Sequence, residues 1–125
     1  MNKIDYDAIE RFRLDLPIIR SFAGWSLETL ADVLGISKTT MIRIEKEPGA
    51  MNTVYYLAIM KLIDEEKLVN PVLGVVMLAL NDESGLITRE RLINNTREVI
   101  CRNGRKRGMT HLKQELHNAF RKWVI

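Results

Sequence analysis

Apolar residues recur along this chain at the three- and four-residue spacing of helices, and the pattern predicts an all-α protein. Residues 5–14, DYDAIERFRL, put Ile9 and Phe12 on one side and predict a short leading helix. Asp15 then reads as the cap of a new helix with Pro17 in its first turn, where a missing N–H is harmless. That helix runs to about Ala23 and is closed by Gly24. Ser26 can cap the next one, along which Leu27, Leu30, Ala31 and Leu34 follow at helical spacing. Gly35 stands where this helix must stop, because a residue without Cβ takes the left-handed conformation cheaply. Ile36 plugs the turn, Ser37 caps a further helix, and Met41 and Ile44 face inward. The outward positions are then Lys38, Thr39, Ile42 and Arg43.

Beyond the Pro48-Gly49 loop the spacing predicts a helix over about 51–63, with Val54, Leu57, Ala58 and Leu62 turned inward. Asn70-Pro71 opens another, PVLGVVMLALN, which is apolar almost all round. Such a helix needs cover on more than one side, and a second subunit is a natural source of it. The polar, turn-forming segment 81–85 reads as a boundary. After it, Thr88 caps a helix carrying Leu92, Ile93, Thr96, Val99 and Ile100 on one face. Asn103-Gly104 ends that helix, Arg105-Lys106-Arg107-Gly108 makes a basic loop, and Thr110 caps a last helix with Leu112, Leu116, Ala119, Phe120 and Trp123 in line. The alternative for 99–109 is a basic β-wing on an Asn-Gly turn, against which the helical spacing before Asn103 argues. The expected architecture is therefore a bundle of about five helices with a C-terminal helical hairpin. Residues 1–82 form the first unit. Residues 83–125 form a basic extension for dimerisation, DNA contact or a protein partner bound through residues 86–125.

The run WSLETLADVLGISKTTMIRIE, residues 25–45, holds two helices too short to bury their apolar faces alone, so they must sit on a scaffold. A helix-turn-helix is the arrangement that presents the second of two such helices to a DNA major groove. Residues 16–62 resemble the DNA-binding domain of the phage repressor and Cro class, the xenobiotic-response-element family. The resemblance lies in Arg20, Gly24-Trp25-Ser26, Leu30-Ala31, Gly35-Ile36-Ser37 and Arg43-Ile44-Glu45 at the family's mutual spacing. It implies that Lys38, Thr39, Ile42 and Arg43 face base edges. Arg and Lys suit guanine O6 and N7, and a Thr methyl can touch that of thymine. Ser26, Thr40, Lys46 and Asn52 read as phosphate contacts, helped by the N–H groups of helix N-termini. The resemblance also implies a partly buried Arg20–Glu45 ion pair that belongs to the scaffold. Three features depart from the family pattern: Leu27 replaces a phosphate-touching Gln, Ile42 stands where a small or polar residue is usual, and Lys46-Glu47-Pro48-Gly49-Ala50 replaces a basic segment.

Charge adds a division that the net +3 conceals. Residues 1–85 hold nine Lys/Arg against thirteen Asp/Glu, a net −4, and residues 86–125 hold ten against three, a net +7. Release of counterions by phosphate-neutralising cations supplies most of the affinity for DNA. The departures and this division together predict that the first unit grips DNA weakly by itself. Arg102, Arg105, Lys106 and Arg107 are then the candidates for further phosphate contact. A hydrophobic content of 46% with 28% charged residues is ordinary for a globular protein. No apolar run approaches the ~20 residues that cross a bilayer, so no membrane association is expected. The N-terminus lacks a signal peptide's apolar stretch, and a lone Cys101 suits a reducing compartment, so a cytoplasmic location is expected.

Chemistry of other kinds finds little support. His111 and His117 are six apart and point to different faces, one cysteine cannot build a Cys-rich zinc site, and no phosphate-binding glycine loop occurs. Asp64-Glu65-Glu66 reads as a solvated loop, and Phe120 and Trp123 read as core or interface rather than as stacking platforms for single strands. Neither an enzyme nor a cofactor or metal is expected. The expected function is sequence-specific binding of double-stranded DNA as a homodimeric transcriptional regulator. The alternatives are an antitoxin-like protein with autoregulatory DNA binding and a plasmid or mobile-element factor that binds an origin region.

Overall fold

The computed structural model describes residues 6–103 and 108–124, and every regular element among them is an α-helix. These are α1 (Tyr6–Ala23), α2 (Leu27–Leu34), α3 (Lys38–Lys46), α4 (Thr53–Lys67), α5 (Pro71–Leu80), α6 (Arg89–Asn103) and α7 (Gly108–Trp123). The architecture is the all-α bundle expected, five helices followed by a helical hairpin.

The expected break at Asp15 does not occur. One helix of 18 residues runs through Pro17, although proline offers no N–H to the carbonyl four residues back. What outweighs that loss is burial. Ile9, Phe12, Leu16, Ile18, Ile19, Phe22 and Ala23 all lie in the core, and each large apolar side chain so placed contributes roughly 1.5–3 kcal/mol. Asp15 is consequently not a cap. It is 5% exposed and accepts two bonds from Arg89 on α6, at 2.6 and 2.7 Å. The same guanidinium donates to the Leu80 carbonyl at 2.8 Å, so one arginine ties α1, the end of α5 and the start of α6 together. The Asp15 carboxylate beside it raises the pKa of Arg89 above its ordinary value.

Helix α4 turns a different face inward from the one its pattern suggests. Ile59 and Ile63 are fully buried, Ala58 and Leu62 are half-buried, and Val54 and Leu57 are exposed. Apolar residues occur on both sides of this helix, so periodicity alone admits two orientations. Tertiary contact selects one of them, with Tyr56 edge-on to Phe12 of α1 at 5.1 Å between ring centres. The helix also runs on to Lys67, so Asp64, Glu65 and Glu66 form its last turn rather than a loop. Asn70 caps α5 by accepting from the Leu73 N–H and also donates to the Phe22 carbonyl at 3.1 Å. The apolar α5 is covered by α1, α4 and α6 of its own chain, so its burial does not call for a second subunit.

Helices α6 and α7 close the bundle against α1. Leu92, Thr96 and Val99 face Leu112, Leu116 and Phe120 in one continuous core with Ile19 and Phe22. Phe120 meets Phe22 edge-on at 5.8 Å, and His117 Nε2 lies 3.0 Å from the Phe22 carbonyl. The segment 81–85 is a turn within this packing, where Asp82 adopts φ 55° and its carboxylate accepts the Arg89 N–H at 2.9 Å. Thr88 accepts from the Arg91 N–H at 3.3 Å as a cap, whereas α7 begins at Gly108 and takes Thr110 into its first turn. Residues 99–103 and 108–109 are helical, and no strand occurs among the described residues. None of the described helices is long and apolar enough to cross a membrane.

Asp15→Ala should leave Arg89 with one carbonyl partner in a site with little solvent, at a cost of roughly 2–4 kcal/mol. Urea unfolding of the full chain checks this, and a change below about 0.5 kcal/mol would show that the pair holds nothing together.

Candidate nucleic-acid interface

The α2–turn–α3 segment is built from local chemistry. The Ser26 hydroxyl accepts from the Thr29 N–H at 3.0 Å and caps α2. Gly35 ends it at φ 71°, with the Ile36 N–H returning to the Ala31 carbonyl at 3.0 Å. A Cβ at Gly35 would meet nothing within 4 Å, so its requirement there is purely conformational. Ser37 accepts from the Thr40 N–H at 3.1 Å and caps α3. Leu30 and Ala31 of α2 and Met41 and Ile44 of α3 are buried beneath this pair.

The opposite side of α3 is open. Lys38, Thr39 and Arg43 are exposed together, Ile42 beside them is half-buried, and Lys46 is exposed at the end of the helix. Thr40 is half-buried and bonded through its hydroxyl to that of Ser37. Ser26 and Asn52 stand at the N-termini of α2 and α4, where both serve as caps. Arg102 is exposed near the end of α6, and Arg105, Lys106 and Arg107 lie outside the described residues.

Two arginines of α1 hold the end of α3. Arg20 Nε donates to Glu45 Oε2 at 2.5 Å and its Nη2 to Oε1 at 3.1 Å, with side-chain exposures of 12% and 7%. The remaining Arg20 nitrogen donates to the Trp25 carbonyl at 3.1 Å, which fixes the entry to α2. Arg13 is the residue that sequence reasoning missed. It is 5% exposed, donates to the Glu45 main-chain carbonyl at 2.6 Å, and is itself held by Glu10 at 2.6 Å. The other Glu10 oxygen accepts the Gly49 N–H at 2.6 Å, which carries the network into the loop after α3. The Arg13 hydrogen bond, and after it that of Gly49, holds the Glu10 carboxyl below its usual pKa. Arg13 and Arg20 stand seven residues apart, two helical turns, so they emerge on one face. That spacing was the available signal. A cation at a helix C-terminus also matches the helix dipole.

The exposed cations of α3 have carboxylate neighbours. Lys38 Nζ lies 2.8 Å from Glu28 Oε1 on α2, and its hydrogen bond and charge hold Glu28 below its ordinary pKa. Arg43 Nε lies 3.5 Å from Glu47. Both pairs are more than half exposed, where water screens the attraction and the cations exchange readily to another anion. A cleft of about 540 Å³ separates this region from the hairpin, and Ser26, Lys38 and Arg20 line one side while Ile100, Gly108 and Met109 line the other. The start of α7, directly after the basic 105–107 segment, thus borders the same cleft as the N-termini of α2 and α3. No group of three or more metal-ligating side chains occurs among the described residues.

Comparison with known proteins finds no matching family model, no matching curated protein and no matching solved structure.

Glu45→Ala should orphan one face of Arg20 and destabilise the fold by roughly 1–3 kcal/mol, read by thermal or urea unfolding. An unchanged midpoint in both Glu45→Ala and Arg20→Ala would remove the pair from the scaffold.

Proposed function

We propose that this protein is a sequence-specific binder of double-stranded DNA, acting as a transcriptional regulator with α3 in the major groove. The observation that carries the reading is the two-sidedness of α3. Its inner residues are sealed, its end is clamped by Arg13 and Arg20, and its outer face offers Lys38, Thr39 and Arg43 together. An α-helix with side chains is about 10–12 Å across and a major groove is about 12 Å wide, so a rigidly mounted polar helix is suited to enter it. The resemblance of residues 16–62 to the repressor and Cro class supports the same roles.

On this reading Arg43 and Lys38 read guanine edges, Thr39 and Ile42 supply apolar contact, and the N-termini of α2 and α4 meet phosphates together with Thr40 and Lys46. Engaging DNA would release Lys38 from Glu28 and Arg43 from Glu47, an exchange with little cost because both pairs are solvated. The acidic balance of residues 1–85 leaves phosphate affinity to the basic part of the chain. We assign that part to Arg102, Arg105, Lys106 and Arg107, which the sequence gathers just before α7. The protein acts as a homodimer in the cytoplasm, since two copies of so small a reading surface double the contacts to a symmetric site.

Selection of bound duplexes from a random pool should yield a defined site. Arg43→Ala should then lose ~1–3 kcal/mol on that site and relax preference at one or two positions. Equal loss on selected and random duplexes would show that Arg43 holds phosphate only, and failure to enrich any duplex would overturn the DNA-binding reading.

Replacing Arg105, Lys106 and Arg107 together with Ser should flatten the dependence of log affinity on log salt by roughly two to three units, since two or three phosphate contacts are lost and each contributes about 0.9. Specific and random duplexes should weaken alike. Superimposable salt titrations of the two proteins would remove the segment from the interface.

A further inference from the structure

The structure points to a second apolar face on α4, and we propose that it is a two-fold interface between copies of this chain. The proposal rests on the homodimer of the reading above but not on DNA contact. With Ile59 and Ile63 in the core, the opposite side of α4 carries Val54 and Leu57, 72% and 59% exposed, and Leu68 and Val69 just beyond its end are 84% and 79% exposed. Positions 54, 57, 61, 65 and 68 advance by three or four residues and so form one stripe along the helix. Four exposed large aliphatic side chains on so short a stretch mark a contact surface rather than scattered surface residues.

The charges within the stripe identify the occupant. Lys61 stands four residues before Glu65, and neither side chain makes an ion pair among the described residues. The adjacent Asp64 is already held by Lys67 at 3.0 Å. Laid antiparallel on a copy of itself about an axis between positions 61 and 65, the stripe places Lys61 of each chain against Glu65 of the other. The same operation sets Leu57 against Leu68 and Val69 at both ends. An isologous interface demands this kind of self-complementarity, in which one patch meets itself with residue pairs exchanged. A foreign partner demands none of it. Because α4 follows α3 through the short loop 47–52, such an axis would also fix the distance between the two α3 helices, which is what sets half-site spacing.

Sedimentation equilibrium on the full chain tests this through a charge exchange. Wild type should dimerise, while Lys61→Glu and Glu65→Lys, each creating two like-charge contacts, should weaken association by about tenfold or more. The double variant Lys61→Glu/Glu65→Lys restores opposite charges and should return to within about threefold of wild type. Leu57→Asp should give a monomer with an unchanged circular dichroism spectrum, since Leu57 is exposed. A double variant as weak as the singles, or singles that dimerise like wild type, would overturn the surface while leaving a homodimer standing. A wild type that stays monomeric across the concentration range would overturn both, and duplex selection would still judge DNA binding by itself.

Discussion

The arrangement depends on one long buried helix that a proline does not interrupt. Every other part of the bundle takes a bearing from α1. Arg13 and Arg20 leave one side of it to grip the end of α3, Asp15 leaves another to hold Arg89, and Phe22 receives Asn70, His117 and Phe120 at its C-terminal end. A break at Asp15 would have given these groups independent orientations. Continuity makes their angular separation a property of the helix itself, so α3 on one side and the hairpin on the other are held in fixed relation.

Burial decides what each ion pair in this chain is for. Arg20–Glu45 and Arg89–Asp15 have at least one partner nearly sealed from water and both prongs engaged, so removing either member strands a charge. Glu28–Lys38 and Arg43–Glu47 have the same chemistry in water and contribute little to the fold. The first kind suits a scaffold and the second suits a surface that must give up its partners. Both kinds meet on α3, where Arg43 of the open face and Glu45 of the clamped end stand two residues apart, about half a turn of helix.

What could be read from the chain follows the range of the interactions involved. Ser26, Gly35 and Ser37 act on backbone groups within a few residues, so α2, its turn and α3 were legible with their inward positions. The hairpin faces were legible for the same reason. Asp15 was read as a cap because aspartate favours caps, but its partner lies 74 positions away and no local rule could find it. Arg13 acts on a carbonyl 32 positions off, and its only local trace is the seven-residue spacing that puts it on one face with Arg20. On α4, two apolar faces made the periodicity ambiguous, and the expected inward residues Val54 and Leu57 are the ones left outside. That ambiguity has a physical content, because a helix with apolar residues on both sides has two surfaces to cover.

An acidic balance around a proposed DNA-reading helix looks like a handicap, yet it bears on discrimination rather than against it. Non-specific affinity comes almost wholly from phosphate neutralisation, and what a regulator needs is a large ratio between specific and non-specific binding. Carboxylates at positions 28 and 47, beside the cations of α3, lower the attraction of this face for any phosphate. A base edge that engages Lys38 or Arg43 through directed hydrogen bonds recovers energy that a diffuse anion does not. On the proposed reading, carrying the base-reading residues and the basic residues 102–107 on different stretches of sequence would let sequence preference and total affinity vary independently.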